Sequence, residues 1–312
     1  MDILIIGGSR FTGPAVIDQL TTDQLTTAGH HLTVFNRGNH TNPTAADTEH
    51  IVGDRHDEAT LKSLFKTQSF DAVVDTCAYE PEDVEPLIRA GCSPNRYVCY
   101  STAGVYSNHS RVPFRETDHR GESQFWGEYG ASKASLENRL FRAAAQSELP
   151  ATVLRFPYIY GPGNHLYRET ALFDRVQSNR PVPIPADGQT LLQFAFVDDV
   201  ARAVKTVIEA DSHELVGEAF NVAEPRSYTY TRLVEIVETL TESDTQTIRF
   251  VPPDNATEVF DLIPFGSRHL QMDVSKWVQS VDWEFTPLQD GLAATLDWYE
   301  TATPLYDDDY AL

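Results

Sequence analysis

Along the first half of the chain, short apolar runs alternate with segments whose apolar residues recur every three or four positions. Residues 3–6, 32–35, 51–52, 72–75 and 97–101 read as strands, and residues 58–66 and 82–90 as helices between them. A longer helical stretch, 129–146, precedes a further strand at 152–156. Buried strands alternating with helices predict a parallel sheet covered on both faces. Beyond it the pattern changes. Pro157, Gly161, Pro162 and Gly163 cluster, residues 180–185 are proline-rich, and both stretches read as loops. Residues 198–210, 230–239 and 290–301 read as helices around shorter strands. The expected fold is α/β: a doubly wound parallel sheet over residues 1–160, then a smaller α/β region over 161–312 whose segments interleave with it.

Composition narrows the class. The 312 residues are 41% hydrophobic and 11% aromatic, enough for the core of one large or two coupled domains. The opening MDILII has no basic n-region, so no signal peptide is expected. No 18-residue apolar stretch predicts a membrane span. Cys77, Cys92 and Cys99 are odd in number and lack CxxC spacing, which argues against disulfides and zinc and for a reduced, cytoplasmic setting. The ten histidines form no metal-ligand pattern; His30-His31 opens a strand, and no metal is expected. Acidic residues outnumber basic ones 46 to 24, a net charge of −22. Such a surface repels phosphate backbones, so nucleic acid is not an expected partner. The acidic Asp307-Asp308-Asp309 reads as a solvated, frayed end.

After the first apolar run comes GGSRFTG, residues 7–13. A strand, a glycine-rich turn and a helix N-terminus bring backbone N–H groups up to a pyrophosphate. Gly7 ends the strand and Gly13 lets the helix pack close, while Arg10 stands where such loops commonly have their middle glycine. The second strand ends TVFNRG. An NAD-binding fold commonly has a carboxylate there for the ribose 2′-hydroxyl; this chain has Asn36 and Arg37. Without that carboxylate, Arg10 and Arg37 can grip a 2′-phosphate, favouring NADP over NAD. Alternatively, Arg10 lies outward over the loop. Asp54, after the third strand, is placed to meet the adenine, or serves as a turn cap.

The segment EYGASK puts Tyr129 and Lys133 one helical turn apart on one face. A phenol titrates near ~10 and is a poor base at neutral pH. A nearby ammonium lowers that value, and Tyr129 can then exchange a proton with an alcohol or carbonyl. Thr102, at the end of the fifth strand, can hydrogen-bond the same oxygen, and Lys133 can also hold the nicotinamide ribose. The plain alternative packs Tyr129 on its helix and leaves Lys133 solvated.

Together these segments make the chain resemble the extended short-chain dehydrogenases/reductases, with a Rossmann-type sheet and a substrate-binding C-terminal region. GGSRFTG matches the cofactor loop, YGASK the Tyr-xxx-Lys pair, and STAGVY the segment with Thr102 at the catalytic hydroxyl. RFPYIYGPG, FVDDVARAV and MDVSKW match later landmarks. The likeness is greatest to an atypical subgroup whose members are labelled epimerase, isoflavone-reductase-like or chloroplast stem-loop RNA-binding protein. It implies an NAD(P)-dependent epimerase or reductase of a sugar-like small molecule, and a homodimer built through long helices. It implies a cofactor site of Gly7, Ser9, Arg10, Phe11, Thr12, Gly13, Asn36, Arg37, Asp54, Arg55, Thr76, Ala78, Ser101, Lys133, Pro157 and Tyr158, with Arg155 also near the nicotinamide. Thr102 is followed by Ala103-Gly104 rather than Asp-Glu, which argues against a 4,6-dehydratase. Gln193 and Arg268 stand near positions where sugar-nucleotide enzymes often carry diphosphate-binding arginines, and Arg168 and Arg175, on the helix expected after YGPG, either bind another substrate anion or form a solvated helix face. The alternative function is a non-catalytic cofactor sensor or RNA-binding protein on the same fold.

Overall fold

A computed structural model describes residues 1–21, 30–40, 48–107, 110–121, 126–210, 213–250, 265–266 and 268–302; the acidic tail lies outside them. The chain runs β1 (Asp2–Ile6), α1 (Thr12–Thr21), β2 (His31–Asn36), β3 (Thr48–Val52), α2 (Glu58–Thr67), β4 (Ala72–Asp75), α3 (Glu85–Arg89), β5 (Arg96–Thr102), α4 (Gly127–Ala145), β6 (Ala151–Phe156), β7 (Tyr158–Tyr160), α5 (Glu169–Gln177) and β8 (Val182–Pro185). It continues β9 (Leu191–Leu192), β10 (Phe194–Phe196), α6 (Val197–Glu209), β11 (Ala219–Asn221), β12 (Tyr228–Thr229), α7 (Tyr230–Thr241), β13 (Thr247–Phe250), α8 (Ser275–Ser280) and α9 (Leu288–Thr301).

Seven strands form one sheet in the order β11-β6-β5-β4-β1-β2-β3, and every neighbouring pair in it is parallel. Side chains alternate across the pleat. Ile3 and Ile5 pack with Val16, Ile17 and Leu20 of α1 and Val200, Val204 and Val207 of α6. Leu4 and Ile6 face the other way, towards Leu61 and Leu64 of α2, Leu87 of α3 and Leu136 and Leu140 of α4. Both faces are thus covered, as the uninterrupted apolar strands require. β11 lies beyond residue 160 and adds an edge strand to this sheet, so the second half of the chain completes the first half's layer. A separate core gathers Phe173, Phe194, Phe265, Val234 and Leu292 from the later segments.

The helix expected over 82–90 is divided. A 3₁₀ turn spans Pro81–Asp83 and α3 starts afresh after Val84, with Pro86 in its first turn. Proline has no N–H to give a continuing helix, so it suits a helix start and not an interior. Elsewhere the element ends shift by a few residues, as with β3, which starts at Thr48.

The strand order reverses between β1 and β4, because the chain winds outward through β2 and β3 and then back through β4, β5 and β6. Loops leaving the carboxyl ends of β1 and β4 must part in opposite directions, which opens a crevice there.

Candidate functional site

A cleft of about 990 Å³ occupies that crevice. Its floor is the glycine loop. Gly7 and Gly8 adopt φ of 93° and 74°, the left-handed region that favours glycine. A Cβ on Gly7 would stand 2.4 Å from Thr76 Oγ1, and one on Gly13 would stand 2.2 Å from the Gly8 carbonyl oxygen. Thr76 ties the crevice together: its hydroxyl donates to Ile6 O and accepts from Gly8 N. Gly13→Ala is therefore expected to displace the loop from the first turn of α1. Binding of a dinucleotide, followed by cofactor fluorescence, should weaken at least tenfold; unchanged binding would show that the loop tolerates the shift.

Asn36, at the end of β2, turns inward. Its amide donates to Ser9 Oγ at 2.9 Å and its Oδ1 accepts from Gly38 N. It braces the loop from the side. Arg10 and Arg37 line this end of the cleft, with Ser9, Phe11 and Thr12. Arg55 also borders it, but its guanidinium is held by Asp75 at 3.0 and 2.5 Å and by Asp83 O. Tyr97 donates to the same Asp75 carboxylate. Burial opposes ionisation of Asp75, yet Arg55 and these hydrogen bonds hold its pKa below the usual carboxylate value. Arg55 is thus committed to the sheet's interior.

At the opposite end stand Thr102, Tyr129, Pro157, Tyr158 and Arg168. Close packing sets the first two together. A Cβ on Gly130 would lie 2.3 Å from Gly104 O, so only glycine lets α4 rest on the 3₁₀ turn Ala103–Val105 that follows Thr102. Thr102 Oγ1 caps that turn by accepting from Gly104 N and lies close enough to the Tyr129 phenol to lower its pKa. Tyr129 is 42% exposed, but towards the cleft, with protein around it. Those surroundings push its pKa above the ordinary value, while Thr102 and the charge of Arg168 pull the other way.

Lys133 departs from the expected picture. It is buried, and its ammonium donates to Ala78 O at 2.6 Å and Tyr100 O at 2.9 Å beneath the cleft. It lies 4.8 Å from the Tyr79 ring centroid, and it is not among the groups that shift the phenol of Tyr129. Its two carbonyl partners join α4 to β5 and to the loop after β4. One turn further along α4, Glu137 is fully buried. It accepts from Ser101 Oγ at 2.6 Å, from Arg155 at 2.9 and 2.7 Å and from Arg120 at 2.6 Å. Arg155 is 1% exposed and belongs to this network, not to the cleft; β6 turns its side chain under the sheet towards α4.

Other expected residues lie elsewhere. Asp54 is exposed outside the cleft lining, and its carboxylate accepts from His56 N, an Asx-type turn. Gly13 and Ala78 sit behind the lining. Arg175 donates to Pro181 O after the end of α5. Gln193 is fully buried and staples two loops through Glu224 O, Met272 O and Met272 N. Arg268 is exposed and outside the lining. Conversely, Tyr79, Trp126, His165, Leu166 and Tyr167 line the cleft without having been anticipated. They come from loops, where no periodicity marks a side chain as facing inward.

A dinucleotide-binding protein of the Rossmann type is what this sheet and its glycine-floored crevice define. Residues 3–223 match the NAD dependent epimerase/dehydratase family, and the chain belongs to it. A relative in Arabidopsis thaliana, the chloroplast stem-loop binding protein of 41 kDa b, is 30% identical over 247 residues, 75% of this chain and 61% of that protein. A probable UDP-glucuronate 4-epimerase of Rhizobium meliloti is 29% identical over 36% of this chain and 33% of its own length. The matches thus span less than two thirds of either relative. The UDP-glucose 4-epimerase of Thermotoga maritima, solved with UDP-glucose, shares the fold with a TM-score of 0.78, 23% identity, and coverage of 96% of this chain and 99% of that one. No helix among the described residues is long and apolar enough to cross a membrane.

Proposed function

We propose that the chain is an NAD(P)-dependent epimerase or reductase acting on a hydroxyl/carbonyl pair of a sugar-like molecule. The observation that carries this reading is the placement of the Tyr129 phenol and Thr102 at one end of a cleft whose other end is a glycine cradle. The cradle fits a dinucleotide: Gly7, Gly8 and Gly13 leave no room for a Cβ, so backbone approaches the site directly. A bound NAD(P) supplies the hydride acceptor or donor. Tyr129 exchanges the proton on the substrate oxygen and Thr102 holds that oxygen. Lys133 uses two of its three N–H groups on carbonyls and offers the third to the cofactor ribose. Asn36 shapes the loop, and Arg10 and Arg37 receive a 2′-phosphate, so NADP is preferred.

A thermal-shift titration with NADPH and NADH side by side tests this. A ligand at ~100 times its dissociation constant adds about 2.7 kcal/mol. NADPH should stabilise at lower concentration than NADH. The reverse order would remove the phosphate role from Arg10 and Arg37 and favour an epimerase that keeps NAD bound. RNA binding is a second reading, favoured by the name of the plant relative. The net charge of −22 opposes it, and salt-sensitive retention of a stem-loop RNA on a filter would reinstate it.

A further inference from the structure

Every lysine and arginine of the chain falls within the described residues, so the positive groups that border the cleft can be counted in full. They are Arg10, Arg37, Arg55 and Arg168. Arg10 and Arg37 flank the glycine loop. Arg55 is paired with Asp75. Only Arg168 stands at the Tyr129 end. Its guanidinium lies 5.5 Å from the Tyr158 ring centroid, and its charge acts on the phenols of both Tyr129 and Tyr158. Among the described residues its guanidinium makes no hydrogen bond, so the five N–H groups of the planar fork remain available. The nearby phenols are already engaged: Tyr158 OH accepts from Gly266 N at 2.9 Å and Tyr167 OH donates to Asp174. The surrounding lining includes Trp126, Pro157 and Leu166 beside the polar Ser101, Thr102 and His165.

One cation at this end of the cleft, on a chain of net charge −22, suits one anionic group and not two. A diphosphate presents two ionised phosphates, and the single guanidinium fork at this end can pair with only one of them. We propose that the cleft takes a compact sugar derivative with a single anionic group, a carboxylate or a phosphate monoester, gripped by Arg168 in a bidentate pair while its hydroxyl or carbonyl faces Tyr129 and Thr102. The sugar chemistry rests on the function proposed above; the count and position of the cations do not.

Calorimetric titration of the NADPH-saturated protein with glucuronate, glucose 6-phosphate and UDP-glucose tests this. Glucuronate or glucose 6-phosphate should bind at least tenfold more tightly than UDP-glucose, and which of the two wins identifies the anion. Arg168→Met should weaken that binding at least tenfold, and Arg168→Lys should restore part of it. Tighter binding of UDP-glucose, equal binding by Arg168→Met, or binding of none of the three overturns the proposal. NADPH fluorescence separates the two readings. Failure to bind either NADPH or NADH sinks the proposed function, whereas intact cofactor binding without Arg168-dependent sugar-anion binding sinks only this inference.

Discussion

Glu137→Gln is expected to lower the unfolding free energy by about 3–5 kcal/mol, the usual cost of removing one partner of a buried ion pair. The carboxylate and the Arg155 guanidinium are each 1% exposed, and Arg120 adds a second cation at 2.6 Å. Neutralising Glu137 takes from both arginines the carboxylate they are directly paired with, one of them fully out of reach of water. Glutamine keeps the shape, so the loss isolates charge from packing. Chemical denaturation reads it, and a change below 1 kcal/mol would show that water or another acid reaches Arg155. The double variant Glu137→Leu, Arg155→Met removes both charges and should be less destabilised than the sum of its single variants, since contacting residues couple. Burial opposes ionisation of Glu137, but Arg155, Ser101 and Arg120 outweigh it and hold the pKa below the ordinary value. The unfolded chain therefore takes up this proton at higher pH than the folded one does. The contribution is complete above the ordinary glutamate value and is lost as pH falls through it towards the lower folded value.

The same network marks the limit of what the sequence discloses. Tyr129 and Lys133 were legible because helical spacing puts residues four apart on one face, and Glu137 continues that face. Spacing does not tell which of them reaches the cleft. Lys133 is drawn to the carbonyls of Ala78 and Tyr100 because the loop after β4 passes under α4, a fact of tertiary packing. The glycine loop was legible because a strand, a tight turn and a helix must be contiguous in sequence to make a cradle. The roles expected for Asp54, Gln193 and Arg268 rested on position along the chain alone. Asp54 is taken by its own turn, and Gln193 by two backbone segments 31 and 79 residues away. The strand-and-helix order was readable from apolar periodicity because both faces of the sheet are covered. That β11 would complete the same sheet was not readable in three residues, Ala219–Asn221, too few to show a period.

Tyr129→Phe is expected to reduce kcat by about 10²–10⁴-fold, the range that one positioned acid or base contributes, while NADPH affinity changes little. The substitution removes one oxygen from a side chain that is 42% exposed, so the fold should hold. Thr102 keeps its capping bond to Gly104 N, and the 3₁₀ turn beneath the cleft stays formed. A loss of turnover without a loss of cofactor binding separates proton transfer from binding. Activity within threefold of the parent would hand the proton to another group. The pH dependence supplies a second, independent reading. For carbonyl reduction the phenol must carry its proton. Its raised pKa keeps it protonated through neutral pH, so the rate should be flat there and fall only in alkaline solution. For alcohol oxidation the phenolate is the base, and the rate should climb with pH towards the same value. The two profiles must therefore slope in opposite directions, and both slopes must vanish in Tyr129→Phe. A slope that survives in the variant would belong to a different group, and the assignment of Tyr129 would fail even if its kcat were low.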